Sequence, residues 1–425
     1  KNMPNKPLDK VEVLRRYSNN KLLKGVEDSE KVALNLTIQD EYKNLWFGDI
    51  SLGYGLVTEN RYDVTGNLMN FSKKYKNFLT YGLNNVGQDR VGPLDDMFYN
   101  NQEVESVGHG NALFPLMSLS GGGPGELKDH RTRINNAEHV SLSTIIPFGE
   151  KFKVKLVGFL GFDENYVYTN SFSTTSVGNT YFENIEENRF KSHLKKGYLN
   201  FLATYDISKD RMLQFSSVWN QGNTNNQNDL TFNGTTTQER LATKNTFFDQ
   251  KITYTHRWKE RNVVLLKTRF FTTKLPQFYT IDNYLMGDLF SFDADAMNNA
   301  IQNQKDFLGM EADFKLKQKK GDLIQFQVGF IHHNEEMKTG FSLFNTSQTL
   351  FPDNFQTNST FGLGDLYAKS GYTWKWSTFK IDGRAEIHQL FNRFTTLASD
   401  KKQELFYASP SISLNREVKP THIFS

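Results

Sequence analysis

The segment 379–387 alternates strictly between two kinds of side chain. Apolar or small residues occupy its odd positions, and the even positions carry Lys380, Asp382, Arg384 and Glu386. Successive side chains of a β-strand point to opposite faces of the sheet, so one face here is apolar and the other is charged. A soluble sheet turns the apolar face inward, whereas a membrane barrel turns it toward lipid and keeps charges in the lumen. Taken alone, this strand fits either arrangement.

The connections between strands distinguish the two arrangements. From Trp46 onward the sequence predicts fourteen strands, and tight turns such as 148–151 and 208–211 follow every second strand. The alternate connections are long, such as 87–138 and 163–194. Outer-membrane barrels have short periplasmic turns and long extracellular loops, whereas a β-sandwich or propeller has no reason to sort its loops onto one end. The sequence therefore predicts an all-β fold, a transmembrane antiparallel β-barrel.

A second charged row supports this orientation. On the segment 305–316, Glu311, Asp313 and Lys315 alternate with apolar residues. We expect these three residues, together with the four charged residues of 379–387, to face the lumen. There they would either contact a plug or line a substrate path. The mixture of signs favours plug contacts, because a selective path usually carries one sign of charge.

Tryptophan positions are the next constraint, since aromatic girdles mark both interfaces of membrane barrels. All five Trp residues fall at the ends of predicted strands, which favours a girdle over simple hairpin packing. These interface aromatics are Trp46, Trp219, Trp258, Trp374 and Trp376.

Composition excludes several other classes of protein. The 50 basic and 47 acidic residues give a net charge of +3, so no nucleic-acid partner is indicated. Cysteine is absent, which removes disulfides, thiolate metal sites and Cys nucleophiles. There is no run of about 18 apolar residues, as a membrane-spanning helix would need. No nucleophile or metalloprotease motif is present. We therefore expect no catalytic residues, no cofactor and no metal site.

The first 44 residues differ from the rest. They contain two short predicted strands, 9–15 and 31–38, before the long amphipathic strands begin. We expect residues 1–44 to be the C-terminal part of a plug domain and residues 45–425 to be the barrel. Lipid-exposed sheet edges are forbidden, so we expect about 14–15 strands of a barrel that has about 22 when complete. On this interpretation the barrel is incomplete at its C-terminal end.

Four segments near the start resemble the plug-to-barrel junction of TonB-dependent outer-membrane receptors. They are residues 9–15 (DKVEVLR), 22–25 (LLKG), 32–37 (VALNLT) and 45–55 (LWFGDISLGYG). The resemblance is strongest to the Bacteroidota branch, to which residues 81–87 (YGLNNVG) are also similar. It implies a plug inside the lumen and import energised by TonB. The 425 residues contain no TonB box.

Two functions follow from these observations. The first is an outer-membrane receptor that takes up a nutrient too large for porins. The alternative is a non-transporting barrel subunit of a multi-protein outer-membrane assembly, insertion or secretion complex. The expected partners are the lipid bilayer, TonB by resemblance, and a surface lipoprotein or another outer-membrane protein. The sequence does not identify the ligand.

Overall fold

The computed structural model describes residues 7–15, 17–26, 31–56, 60–92, 106–108, 113–119, 129–178, 180–283, 292–318, 321–376 and 379–416. Its strands are β1 (Leu8–Arg15), β2 (Val32–Ile38), β3 (Trp46–Gly55), β4 (Arg61–Phe71), β5 (Lys76–Asn84), β6 (Arg133–Phe148), β7 (Phe152–Val177), β8 (Thr180–Ser208), β9 (Arg211–Phe232), β10 (Thr235–Trp258), β11 (Asn262–Lys274), β12 (Gln277–Asp282), β13 (Ala296–Lys317), β14 (Leu323–Phe344), β15 (Thr349–Leu350), β16 (Thr357–Trp376), β17 (Phe379–Thr396) and β18 (Asp400–Arg416). One short helix, α1 (Asp129–Thr132), precedes β6. None of the helices in the described part of the chain is long and apolar enough to cross a membrane.

The strands from β3 to β18 form one antiparallel sheet in which each strand pairs with its neighbours in sequence. The strands β11 and β12 lie in line and share the partners β10 and β13, with a break at Pro276. Proline lacks the N–H that a central strand donates to its ladder. Counting this pair as one, and leaving out the two-residue β15, the meander has the fourteen strands expected from the sequence. The fold is therefore an all-β antiparallel barrel wall. The strands β1 and β2 pair with each other and form a separate two-stranded sheet.

One end of the sheet carries the tight turns at the predicted places. Several of these turns use left-handed backbone, as at Gly149 (φ 69°), Lys259 (φ 48°) and Gly321 (φ 99°). The sequence also predicts a tight turn at 375–378, of which residues 377 and 378 lie outside the described residues.

The loops predicted at the other end were wrong in most cases. The segment 163–194 belongs to β7 and β8, which continue to Val177 and from Thr180. Likewise, 221–244 belongs to β9 and β10 and turns only at Asn233 and Gly234. The backbone ladder persists there. Both faces are largely polar along 221–244, and along 163–194 apolar residues such as Phe172 and Ile185 are isolated among polar ones, so the regular alternation that identified the strands is lost.

The two faces of the sheet are inverted relative to a soluble protein. Leu266, Met310 and Ile387 are 49%, 52% and 46% exposed on the outer face. Charged Arg269 and Asp313 are 3% and 1% exposed on the inner face. This distribution is the apolar-out, polar-in arrangement of a membrane barrel.

The predicted interface aromatics fall into two groups. Trp46 begins β3, Trp258 ends β10, and Trp374 and Trp376 close β16, all at the tight-turn end. The expectation that Trp219 ends its strand was wrong, because β9 continues to Phe232. Outward residues of β9 nevertheless change character there, from Leu213, Phe215 and Trp219 to Gln221, Asn223, Asn225 and Gln227. Trp219 thus marks the upper border of the apolar belt, and the strand passes beyond it.

Candidate lumenal site

The inner face of the barrel wall holds its charges in pairs. The guanidinium of Arg269 on β11 donates two hydrogen bonds, each 3.0 Å, to the two carboxylate oxygens of Asp249 on β10. Its carbon lies 4.8 Å from the ring centroid of Phe271, which stacks on Phe307 at 4.9 Å. A buried bidentate pair of this kind is satisfied within the wall and offers no free charge to the lumen.

The predicted row on β13 belongs to the same network. Lys267 on β11 forms an ion pair with Glu311 and lies 3.6 Å from Asp313. Lys315 approaches Asp313 at 3.5 Å. The hydroxyl of Tyr367 on β16 donates to Glu311 at 2.6 Å. The three residues lie on the same face of β13, and their partners lie on β11, on β13 itself and, for Tyr367, on β16, two strands away.

The predicted row on β17 is paired less completely. Lys380 contacts Asp382 at 3.1 Å, and Thr373 of β16 donates to Asp382 at 2.5 Å. Glu386 forms a 3.2 Å ion pair with Lys369 of β16. Arg384, the fourth predicted residue, is exposed to solvent.

His388, on the same face of β17, joins this row. His388 lies with Nδ1 2.9 Å from a carboxylate oxygen of Asp365 and Nε2 3.4 Å from Glu386. Its ring stacks on Tyr407 at 4.7 Å between centroids and 6° between planes. The imidazole is therefore held by two carboxylates and an aromatic face. Among the described residues no group of three or more His, Asp or Glu side chains is arranged to hold a metal ion.

The tip of the N-terminal hairpin docks on the inner face at the tight-turn end. Leu23 and Val26 are fully buried and pack with Val263 and Leu265 of β11. The amide of Asn20 donates to the hydroxyl of Thr255 on β10 at 2.8 Å.

Two further polar links fasten the edge of the tip. Lys21 forms a 2.6 Å ion pair with Asp206 at the end of β8. The guanidinium of Arg257 donates to the backbone carbonyl of Lys24 at 3.4 Å. Sequence reasoning missed these contacts because it sought charged rows. The available signal was the pair of apolar residues, Val263 and Leu265, at inward positions of a strand whose next inward residues are charged.

The connection between β5 and β6 supplies a second element on the inner face. We name its described residues 85–92, 106–108 and 113–119 the inner strap. Its first anchor is polar: Asn135 accepts from the backbone of Gly87 at 2.7 Å and donates to the carbonyl of Gln88 at 3.1 Å. Arg133 pairs with Asp89 at 3.1 Å.

An apolar contact completes the first anchor. Val91 is fully buried against Phe159, Tyr198 and Val218, which lie on β7, β8 and β9. A Cβ built on Gly161 would lie 2.8 Å from Val91, so glycine is needed for this close approach.

The other anchors lie on β12 and β13. Val107 is fully buried, and a Cβ on Gly309 would lie 2.8 Å from its Cγ1. Gln277 accepts from the backbone N–H groups of Leu116 and Met117 at 2.7 and 3.1 Å and donates to the carbonyl of Met117 at 2.8 Å. The inner strap therefore contacts the wall at two separate sectors and covers part of its inner surface.

One carboxyl group beside the first anchor has a perturbed acidity. Asp163 follows Phe162 on β7 and faces inward, five residues beyond Gly158, whose row runs through Leu199 to Trp219 at the upper border of the apolar belt. Burial raises the pKa of Asp163 to about 6, an effect that the Asn165 amide, donating at 2.9 Å, opposes. The nearby negative charge of Asp89 adds to the rise, and Arg133 opposes it.

No protein-family model matches the sequence, and no curated protein matches it. Among solved structures, the ferric yersiniabactin uptake receptor FyuA from Yersinia pestis is similar, with a TM-score of 0.45 and 8% identity over 89% of this chain and 63% of that one. The ferric-catecholate import receptor Fiu from E. coli K12 has a TM-score of 0.40 and 10% identity over 98% and 68%. For the RagAB peptide importer the TM-score is 0.29, with 7% identity over 80% and 51%. The chain thus spans 63% of the length of the Yersinia pestis receptor.

Proposed function

We propose that this chain is part of an outer-membrane, TonB-dependent receptor of the Bacteroidota type that imports a nutrient too large for porins. Residues 1–44 would belong to its plug and residues 45–425 to its barrel. The observation that carries the proposal is the docked tip of the N-terminal hairpin. Its buried residues Leu23 and Val26 meet the inner face of the wall, as a plug must. The proposal assigns no catalytic residue and no cofactor.

The inner charges are paired within the wall, so a plug can move without leaving any of these pairs broken. Removing one member of a buried ion pair costs several kcal/mol, about 3–5, because the other charge is left uncompensated. Here Arg269 keeps Asp249, and Lys267 keeps Glu311, whether or not a plug is present. Displacing the hairpin tip exposes apolar contacts and breaks a few polar links, but it leaves the ion pairs of the wall intact.

A reversible cross-link tests whether the tip must move. Asn20 and Thr255 are in hydrogen-bond contact although 235 residues separate them, and the chain contains no native Cys. In the complete protein, an Asn20→Cys/Thr255→Cys pair should block uptake when oxidised and recover it on reduction. The control is Gln214→Cys/Thr253→Cys, which joins register partners of β9 and β10 within the wall. The substrate is found first, by growing a strain that lacks the protein on iron chelates, oligosaccharides and peptides.

The results separate import from other functions. Oxidation that leaves uptake unchanged in the Asn20/Thr255 pair would contradict the importer proposal, as would normal growth of the deletion strain on every source.

The alternative is a non-transporting barrel subunit of an outer-membrane assembly, insertion or secretion complex, in which the same tip would be a permanent seal. The observation in its favour is that the tip buries Leu23 and Val26 against the wall, a contact that a permanent seal would also need. Extraction of the native complex in mild detergent discriminates the two. Stoichiometric partner proteins point to the assembly subunit, and a lone barrel or a barrel with one surface lipoprotein points to the importer.

A further inference from the structure

The outer face of β8–β11 changes from apolar to basic within a short distance. Leu199, Trp219 and Phe248 are paired across β8, β9 and β10 and are 43%, 38% and 38% exposed. They form the last apolar row. Four residues from this row, on the side away from the tight turns, Lys195 and Lys244 both pair with Asn223 of β9.

More cations surround these two lysines. Lys191 and Arg240 flank Gln227 in the same manner, and Lys274 of β11 pairs with Thr246. We name the five residues the basic patch: Lys191, Lys195, Arg240, Lys244 and Lys274. All but Lys191 are exposed. Among the described residues no carboxylate pairs with Lys195, Lys244 or Lys274, and the nearby Glu164 is engaged with His193 at 3.0 Å.

The outer face of β13 and β14 does not share this charge. On β13 and β14 the apolar row ends at Leu308 and Phe330, which are 37% and 39% exposed. The outward residues beyond it include Asp306 and Glu336. Glu336 is paired with Lys338 at 2.6 Å. The concentration of unpaired cations above the belt therefore distinguishes β8–β11 from β13 and β14.

The height of the basic patch identifies what it faces. A strand residue rises about 3.3 Å, or about 2.5 Å along the membrane normal at a tilt near 40°. Lys195 and Lys244 therefore lie about 10 Å above the Trp219 row, which is the depth of the polar headgroup layer within the reach of a lysine side chain. Strands two apart are separated by about 10 Å, so the lysines frame a site as wide as a headgroup with more than one phosphate.

We propose that the basic patch binds the phosphate groups of a glycolipid in the outer leaflet, whose acyl chains lie against Leu199, Trp219 and Phe248. The inference rests on the outer-membrane orientation of the proposed function, in which the long-strand end faces outward. Two features favour an amphipathic lipid over a soluble anion. The cations lie directly above an apolar surface, and four of the five belong to strands that also carry that surface.

The test begins with lipid that co-purifies with the complete protein. Wild type and two triple variants are extracted from the native outer membrane in mild detergent, and bound glycolipid per protein is measured by phosphorus assay and mass spectrometry. The patch variant is Lys195→Glu/Lys244→Glu/Lys274→Glu. The control, Lys74→Glu/Lys151→Glu/Lys209→Glu, makes the same charge change at exposed lysines of the tight turns. We expect at least about a tenfold loss in the patch variant only, since each basic residue at a membrane surface adds to binding.

A titration identifies the chemical group. Delipidated wild type in mixed micelles should bind diphosphorylated lipid A at least about tenfold more tightly than its dephosphorylated form, and inorganic phosphate should compete poorly. Three results would each overturn the proposal. They are equal amounts of bound glycolipid in the two triple variants, equal affinity of wild type for the two forms of lipid A, and displacement of bound lipid A by inorganic phosphate as effectively as by free lipid A. If the patch variant does not show the heat-dependent shift in gel mobility of a folded barrel, Lys244→Gln is used instead. Its bound glycolipid should fall about threefold. None of these readouts involves uptake. Lipid binding without import would refute only the importer proposal. Import without lipid binding would refute only the proposal that the basic patch binds a glycolipid.

Discussion

Arginine substitutions at two heights on one strand test whether the outer face of the sheet contacts lipid. Val328 and Asn334 both project from the outer face of β14, which begins at Leu323. At about 2.5 Å of height per residue, Val328 lies about 12 Å from the tight-turn end, close to the middle of an apolar belt about 25 Å tall. Asn334 lies about 28 Å from that end by the same measure, just above the belt.

The two substitutions should therefore differ in cost. Val328→Arg should destabilise the complete barrel in phospholipid vesicles by about 2–4 kcal/mol, and Asn334→Arg by about 0–1 kcal/mol. Because about 1.4 kcal/mol is a factor of ten, the larger cost shifts the folding equilibrium by roughly 30-fold to several hundred-fold.

The assay is urea unfolding followed by tryptophan fluorescence in vesicles. In a water-exposed sheet, Val328→Arg would replace a side chain already 38% exposed, at a cost of about 0.5 kcal/mol or less. Costs for Val328→Arg and Asn334→Arg that agree within about 0.5 kcal/mol would refute the assignment of the outer face to lipid.

Three further outcomes follow from contacts on the inner face. Gly309→Val should destabilise the barrel by about 1–3 kcal/mol through overpacking against Val107, and should increase proteolysis of the inner strap. Asp249→Ala should cost about 3–5 kcal/mol because it leaves the Arg269 charge buried and uncompensated, measured by chemical unfolding. Asp163 has a folded-state pKa of about 6, above its unfolded value, so its contribution to stability should fall as pH rises from about 4 to about 6. Its Asn variant should lose that pH dependence.

Each of these predictions has a matched comparison. Gly371 also faces inward, but a Cβ there would meet only ordinary contacts at 3.8 Å, so Gly371→Val should leave proteolysis unchanged. An Asp249→Leu/Arg269→Met double variant should recover most of the lost stability, and a double variant no better than Asp249→Ala would contradict the orphaned-charge explanation. Wild-type stability that rises between pH 4 and 6 relative to Asp163→Asn would show that burial does not control this carboxyl group.

The sequence predicted the wall because alternation with period two persists across the apolar belt, as it does from Leu308 to Leu316. It failed above the belt, where outward residues such as Gln221 and Asn223 are as polar as their inward neighbours. Hydrogen-bonded ladders, which have no side-chain signature, continue those strands. Charge rows were likewise predictable as inner-facing, but the choice of partner, such as Tyr367 for Glu311, depends on register across strands far apart in sequence.

Docked segments were the least predictable feature. Leu23 lies in a segment whose sequence is typical of a turn, and only the fold brings it against Val263 and Leu265 of β11. Glycines within strands were an available signal for the inner strap, because such glycines mark close approach of another chain segment. Gly161 and Gly309 both accommodate a valine in this way.

The long strands have a mechanical consequence. β9 continues from Trp219 to Phe232, which at about 2.5 Å per residue carries its tip about 30 Å above the apolar belt. A segment held by ladders on both sides has already lost most of its backbone entropy. A solute that meets it therefore does not pay the ordering cost that a flexible loop demands on binding. Substitutions along these extended strands can therefore change the surface that they present without changing its shape.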